Sequence, residues 1–256
     1  MTTRDPERLA SLSEAGADVL PMQAADLVSV ESIRDVLQPG VRVLHSIPSI
    51  EIGSELRDPT PDLLFTLGEL ASRIVYFSTT GVYGAARFVD ENTPAAPRNP
   101  RESLRVDAEQ AVLGGPWSSL VLRPAAIYGP GRGVHASMRE GKFHFSGDGS
   151  NYISRIHVED LAAHAEAALL ADLTGVYPVA DEEPCQSREI VQFCAGLLRV
   201  PIPPPAGESD LHNSRRADRR VDGSAIRRLL DIKLQYPSYR QGIPAAIAEE
   251  QHAGLE

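Results

Sequence analysis

The stretch Val75-Tyr76-Phe77-Ser78-Thr79-Thr80-Gly81-Val82-Tyr83-Gly84 decides the fold. Its apolar run ends in hydroxyls and a glycine-bracketed turn, the profile of a buried strand that delivers Ser78, Thr79 and Thr80 at its C-terminal end. Open α/β sheets bind ligands at that edge, and hydroxyls there are placed to hold a substrate oxygen. The next such run, Leu122 to Gly133 (LRPAAIYGPGRG), exits into a second glycine-rich turn. RIHVEDLA, from Arg155 to Ala162, follows as a third strand exit, with Asp160 positioned to cap a helix.

Upstream, helix and strand alternate. DPERLASLSEAG reads as a short helix stopped by Gly16, and ADVLPMQAADL as a strand ending near Asp26. A helix is expected from Ser29 to Leu37, then a buried strand, VRVLHSI, from Val41 to Ile47, bounded by Pro39-Gly40 and Pro48. DLLFTLGELAS is a helix leading into RIVYFST, and ESLRVDAEQAVL another leading into SLVLRPAAIYG. This alternation predicts a parallel sheet flanked by helices. Beyond Gly133 the pattern loosens through FHFSGDG, RIHVEDLAAHAEAALLAD and GVYPVAD. The helix SREIVQFCAGLLRV then places Ile190, Val191, Cys194, Leu197 and Leu198 on one face. A division at 133/134 is expected, with a smaller lobe and returning sheet elements in the second part. Pro203-Pro204-Pro205 and AGESDLHNSRRADRR form the longest loop-like segment, and its Arg215, Arg216, Arg219 and Arg220 read as a solvated basic loop or as a phosphate contact.

With 25 Lys plus Arg against 35 Asp plus Glu, the formal charge is −10, which argues against nucleic-acid binding. At 42% hydrophobic and 23% charged, the 256 residues suit an ordinary globular protein rather than a disordered one. No apolar run is long enough to span a bilayer and the N-terminus is too polar for a secretory signal, so a cytoplasmic protein is expected. Cys185 and Cys194 do not make a disulfide framework, and no histidine or cysteine pair has metal-ligand spacing, so neither a disulfide nor a metal is expected.

The pieces FSTTGVYG, DENTPAAPRNP, AEQAVL, LRPAAIYGPGRG, RIHVEDLA and YPSYRQGI, in this order and spacing, resemble the extended or atypical branch of the short-chain dehydrogenase/reductase superfamily, the NAD-dependent epimerase/dehydratase family. The resemblance implies a Rossmann-like, doubly wound parallel sheet with a small C-terminal substrate lobe. It assigns the catalytic hydroxyl to Thr79, with Thr80 the runner-up, hydrogen-bonded to the substrate oxygen. The family's Tyr-x-x-x-Lys pair maps onto Arg101 and Arg105. An arginine keeps its proton to about pH 12 or beyond, so Arg101 is no proton shuttle. Arg105 is left as a ribose or phosphate contact, and Tyr83 or Tyr128 as a substitute acid.

The family's opening strand and Gly-x-x-Gly-x-x-Gly turn have no counterpart in this sequence. Met1-Thr2-Thr3-Arg4 resembles the exit of its second strand, so an N-terminally incomplete sheet with an exposed seam is expected. The resemblance places Arg4 against a 2′-phosphate, favouring NADP over NAD. It also places Asp26 and Leu27 on the adenine side, and Ser46, Ile47 and Pro48 at the exit of the fourth strand. Ser78, Pro124 and Ala125 fall beside the nicotinamide, and Arg132 faces a substrate anion. His157 reads as structural.

The leading expectation is an NAD(P)-dependent, epimerase/dehydratase-like oxidoreductase of a small hydroxyl or carbonyl substrate, a sugar nucleotide among the candidates. The alternative is a non-catalytic nucleotide-binding or interaction protein. A homodimer through the helices around Asp62 to Ser72 and Arg101 to Leu113 is expected by analogy.

Overall fold

The computed structural model describes residues 1–144, 147–204, 217–252 and 254. Four parallel strands make the central sheet: Val41–His45, Ala71–Phe77, Ser118–Pro124 and Gly175–Val179, adjacent in that order. Ala71–Phe77 shows why the sheet is sandwiched, because its side chains alternate between two apolar layers. Ile74 and Tyr76 pack with Val121 under Leu63, Leu67, Ala108 and Val112. Val75 faces the other way, with Leu120 and Leu122, against Leu161, Ala168 and Ile226. The helices Thr60–Leu67 and Pro100–Leu113 therefore cover one face, and Val158–Leu170 and Ser224–Leu229 the other.

The sheet is continued from the C-terminal part of the chain, since Gly175–Val179 pairs in parallel with Ser118–Pro124. Arg73, buried in the sheet, ties this return down. Its Nε donates to Ala168 O at 2.7 Å and its Nη2 to Leu173 O at 2.7 Å, carbonyls at the end of the Val158–Leu170 helix and just beyond it. A second core of Tyr128, Met138, Ile190, Cys194, Tyr239 and Ile243 joins the helices Val134–Arg139, Ser187–Leu198 and Tyr239–His252. Leu197, expected on the inner face of its helix, is 43% exposed, because the buried stripe is centred on Val191, Cys194 and Ala195 and Leu197 lies at its flank in the last turn. Gly242 allows the closest approach in this lobe, since a Cβ there would meet the Tyr128 hydroxyl at 2.3 Å.

Among the described residues Val41–His45 is an edge strand, paired only with Ala71–Phe77, and Leu44 on it is 40% exposed. The strands Thr2–Thr3 and Leu20–Pro21 form a separate parallel pair. The strand expected over Ala17–Leu27 is thus reduced to two residues, and the helix expected from Ser29 begins at Leu27, where Asp26 Oδ1 accepts from Val28 N at 3.0 Å. An antiparallel ribbon, Ile50–Ile52 with Glu55–Arg57, fills a stretch in which no element was expected. Asp160 does not cap the Val158–Leu170 helix, as it lies within the first turn and instead accepts from Gln235 N and Tyr236 N at 2.7 and 3.0 Å. The cap is His157, whose Nδ1 accepts from Glu159 N at 3.3 Å. Among the described residues, no helix is long and apolar enough to cross a membrane.

The turn after the Ala71–Phe77 strand closes on Gly84 at φ 59°, where a Cβ would meet Ala96 O at 2.1 Å. Gly84→Ala therefore meets both a left-handed backbone and a backbone clash, and we expect a loss of at least about 2 kcal/mol in urea unfolding.

Candidate functional site

The exits of three adjacent sheet strands converge at one edge, at Ser46 to Pro48, at Ser78 to Tyr83 and at Pro124-Ala125. Thr79 has extended backbone and caps the single turn Thr80–Tyr83, its Oγ1 accepting from Gly81 N at 3.1 Å. That bond uses a lone pair. The hydroxyl proton has no acceptor among the described residues, so half-buried Thr79 can donate to a substrate oxygen. Thr80 is half-buried beside it. Tyr83, in contrast, is 1% exposed and burial raises its phenol pKa above the ordinary value, which leaves it poorly suited to proton exchange with a ligand.

Beneath the turn lies a buried ionic group. Arg123 grips Glu109 through Nε and Nη2 at 3.0 and 2.6 Å, and the Ser78 hydroxyl donates to the same carboxylate. The Arg123 guanidinium also lies 4.7 Å from the Tyr83 ring centroid. Ser78 is thus committed to Glu109 and only 6% exposed. Sequence reading missed this pair, although a lone arginine in the apolar run LVLRP signals a buried partner.

On the helix Pro100–Leu113, Arg101, Arg105 and Glu109 follow at four-residue steps along one side. Arg101 is exposed and pairs with Glu51 at 2.9 Å. Arg105 is 8% exposed and bridges two strand exits. Its Nη1 donates to Ile47 O and to Asp58 Oδ2, both at 3.1 Å, and its Nη2 to Phe77 O at 3.0 Å. Asp58 in turn accepts from Thr60 N at 3.0 Å, and Thr60 Oγ1 meets His45 Nε2 at 2.8 Å. Three of the Arg105 contacts are therefore spent inside the protein.

The turn itself is held from a distance. Arg219 Nη2 donates to Gly84 O at 2.6 Å, Nε to Ala86 O at 3.1 Å and Nη1 to Thr80 O. Arg219 is 7% exposed, so the late arginines are not all a solvated loop. Arg220 pairs in strand with Phe88, while Pro205, Arg215 and Arg216 lie outside the described residues.

The remaining expected residues fall in two places. Ser46 and Pro48 are exposed, Ile47 is half-buried, and Pro124 and Ala125 are buried at the floor of the edge. Arg4 is exposed beside the Thr2–Thr3 strand, Asp26 is a helix cap, and Leu27 is 47% exposed. Arg132 lines a different space, a cavity of about 240 Å³ bounded also by Tyr128, Phe143, Arg155 and Ile190. Exposed Ser46 and Pro48 and half-buried Thr79, with its unspent proton, are the residues of this edge that could hold the nicotinamide end of a dinucleotide. Arg4 is the one basic side chain of the expected set on the adenine side.

No protein-family profile matches the chain. Over 275 aligned residues it is 26% identical to a 3-diazoavenalumate denitrifying reductase from a Streptomyces species, covering 92% of this chain and 89% of the relative. A conserved protein of unknown function from Silicibacter pomeroyi superposes with a TM-score of 0.73 at 29% identity, over 97% of this chain and 89% of that one. MoeE5, solved with UDP-glucose and NAD, superposes at 0.78 with 18% identity, over 100% and 98%. The fold is the Rossmann-like fold shared with these solved structures, built on the four-stranded parallel sheet. At the positions where the resembled family carries its Tyr and Lys, this chain has Arg101 and Arg105.

His45 is 1% exposed, and burial lowers its pKa to about 4, the nearby Asp58 opposing the shift. Burial likewise lowers His135, His157 and His164. Unfolded histidines take up protons near pH 6.5 and these only at lower pH, so each contributes stability that is present above pH 6.5 and is lost as pH falls, for His45 through about 4. Asp181, raised by burial to about 8, works in the opposite sense over the same range. By urea unfolding, the change in stability from pH 7 to pH 5 should be less destabilising in His45→Phe than in the wild type by about 2 kcal/mol.

Proposed function

We propose that the chain is a nicotinamide-dependent oxidoreductase of a small molecule, working at the strand-exit edge with Thr79 as the residue that holds the reacting oxygen. The observation that carries this is the Thr79 hydroxyl, fixed as an acceptor toward Gly81 N with its proton unspent. Bound NADP(H), or NAD(H), would supply the redox chemistry. Ser46 to Pro48, Pro124 and Ala125 would flank the nicotinamide, and Arg4 would face a 2′-phosphate.

The direction we favour is reduction rather than an oxidation-first epimerisation. Hydride transfer in either direction needs a partner for the hydroxyl proton, and because neither Arg101 nor Arg105 exchanges one near neutrality, that proton would pass to or from water beside Thr79. Arg105 instead holds the Ile47 and Phe77 carbonyls at a fixed separation, so its part is to shape that edge. The name of the Streptomyces relative, a denitrifying reductase of a diazo compound, is that of a reduction and supports the same direction. Hydroxyl or carbonyl substrates, sugar nucleotides among them, are the alternatives in keeping with the branch. The reading as a non-catalytic protein draws on Arg105 being committed to Asp58.

Titration with NADPH and with NADH, followed by fluorescence and thermal shift, tests the cofactor. We expect saturable binding with NADPH the tighter, and a five- to tenfold loss of that preference in Arg4→Ala, of the order of one charge-assisted contact. With a turned-over substrate, Thr79→Ala should lower kcat/KM by about a hundredfold with an unchanged unfolding midpoint. Absence of binding to either cofactor would overturn the proposal.

We further propose that two copies pair through the helices Thr60–Leu67 and Pro100–Leu113, because Phe65 is 83% exposed on the first. Light scattering should show a dimer that becomes a monomer in Phe65→Asp.

A further inference from the structure

A cavity of about 470 Å³ opens between the Phe88–Val89 and Arg220–Val221 strands and the segment that leaves the Gly175–Val179 strand. Its size is that of a small-molecule site. Phe88, Val89, Pro184 and Val221 give it apolar walls, and Phe88 is 71% exposed there. Arg220 lines the same space with its guanidinium 3.4 Å from the Tyr152 ring centroid and 5.0 Å from that of Phe88. Among the described residues that guanidinium has no carboxylate or hydrogen-bond partner. Two rings therefore hold the fork flat, and its five N–H donors remain unspent.

A second orphan lines the cavity. Asp181 is 2% exposed, its Oδ1 accepts from Glu183 N at 3.3 Å, and its Oδ2 has no partner. Leaving a buried carboxyl oxygen unsatisfied is costly, so such an atom marks a place for a ligand. We propose that this cavity binds a small aryl carboxylate, its carboxylate gripped by the Arg220 fork beside Asp181 and its ring lying on Phe88, Val89 and Pro184. The site goes beyond the cofactor reading and stands whether or not the chain takes a dinucleotide.

The other charges select the ligand. Asp90 is tied to Thr93 and Asn92 N, Asp222 to Ser224 N, and Glu182 lies 3.7 Å from Arg227, whose Nη1 is spent on Ala180 O. These acidic neighbours oppose a phosphate dianion more than a monoanion. Burial raises Asp181 to about 8, against the attraction of Arg155 and Arg227 and with the aid of Glu183. Tyr128 and Cys185, also near it, are themselves raised by burial and stay neutral. Asp181 thus carries a proton at pH 7, donates rather than repels, and turns against an anion as pH rises past 8.

Isothermal titration of the full chain with benzoate, benzamide and phenyl phosphate tests the site. At pH 7 we expect saturable benzoate binding, at least tenfold weaker benzamide and weaker phenyl phosphate. Arg220→Gln should lose benzoate affinity tenfold or more. Wild-type affinity should fall between pH 7 and pH 9, and Asp181→Asn, a permanent donor, should keep the pH 7 affinity and abolish that fall. Failure of benzoate to saturate the wild type, benzamide binding as tightly, phenyl phosphate binding more tightly, or undiminished binding by folded Arg220→Gln would each overturn the proposal. Should Arg220→Gln not fold, the ligand series on the wild type and the pH profile of Asp181→Asn decide.

Discussion

The buried pair of Glu109 and Arg123 is the contact on which the strand-exit edge depends. Each ion alone would be costly to desolvate, and the two-bond fork between them, with the Ser78 hydroxyl as a third partner, makes burial tolerable. The pair joins the Pro100–Leu113 helix to the Ser118–Pro124 strand and, through Ser78, to the neighbouring strand exit. Its outer side presents Arg123 to the Tyr83 ring, so the turn carrying Thr79 rests directly on it. Shift the pair, and Ser78, Tyr83 and Thr79 shift together.

A second ionic group, Arg105 with Asp58, repeats this logic one strand over. It ties two adjacent strand exits through the Ile47 and Phe77 carbonyls. A lysine has a single point of charge on a flexible stem, whereas an arginine has a planar fork that can satisfy several acceptors at once. Where the resembled family carries a lysine, Arg105 braces the sheet edge. The neighbouring Arg101, exposed and paired with Glu51, takes no part in the bracing.

The sheet was legible because apolar runs such as VRVLH and RIVYF carry their burial in their composition, and the glycine turns mark where they end. Thr79 was legible as the end of such a run. The burial of Arg105, Arg123 and Arg219 was not, since an arginine goes inside only where tertiary structure gathers carbonyls or a carboxylate around it, and periodicity records nothing of that. The same holds for Asp181, one acid among several in ADEEP, whose orphaned oxygen depends on what folds over it. The Ile50–Arg57 ribbon escaped notice because its strands are three residues each, too short for an alternating pattern to stand out. His157 took the capping role expected of Asp160 because a cap must precede the first turn, and only the histidine does.

Arg219 fastens the carbonyls of Thr80, Gly84 and Ala86 from 133 to 139 residues further along the chain. Such a contact closes late, after most local structure has formed. During synthesis from the N-terminus, the sheet strands through Ser118–Pro124 emerge well before the side chain that sets the turn between two of them. The shape of the Thr79 turn is therefore withheld until Arg219 has left the ribosome, and a chain interrupted before Arg219 would carry the Thr79 hydroxyl without the three carbonyl contacts that hold its turn.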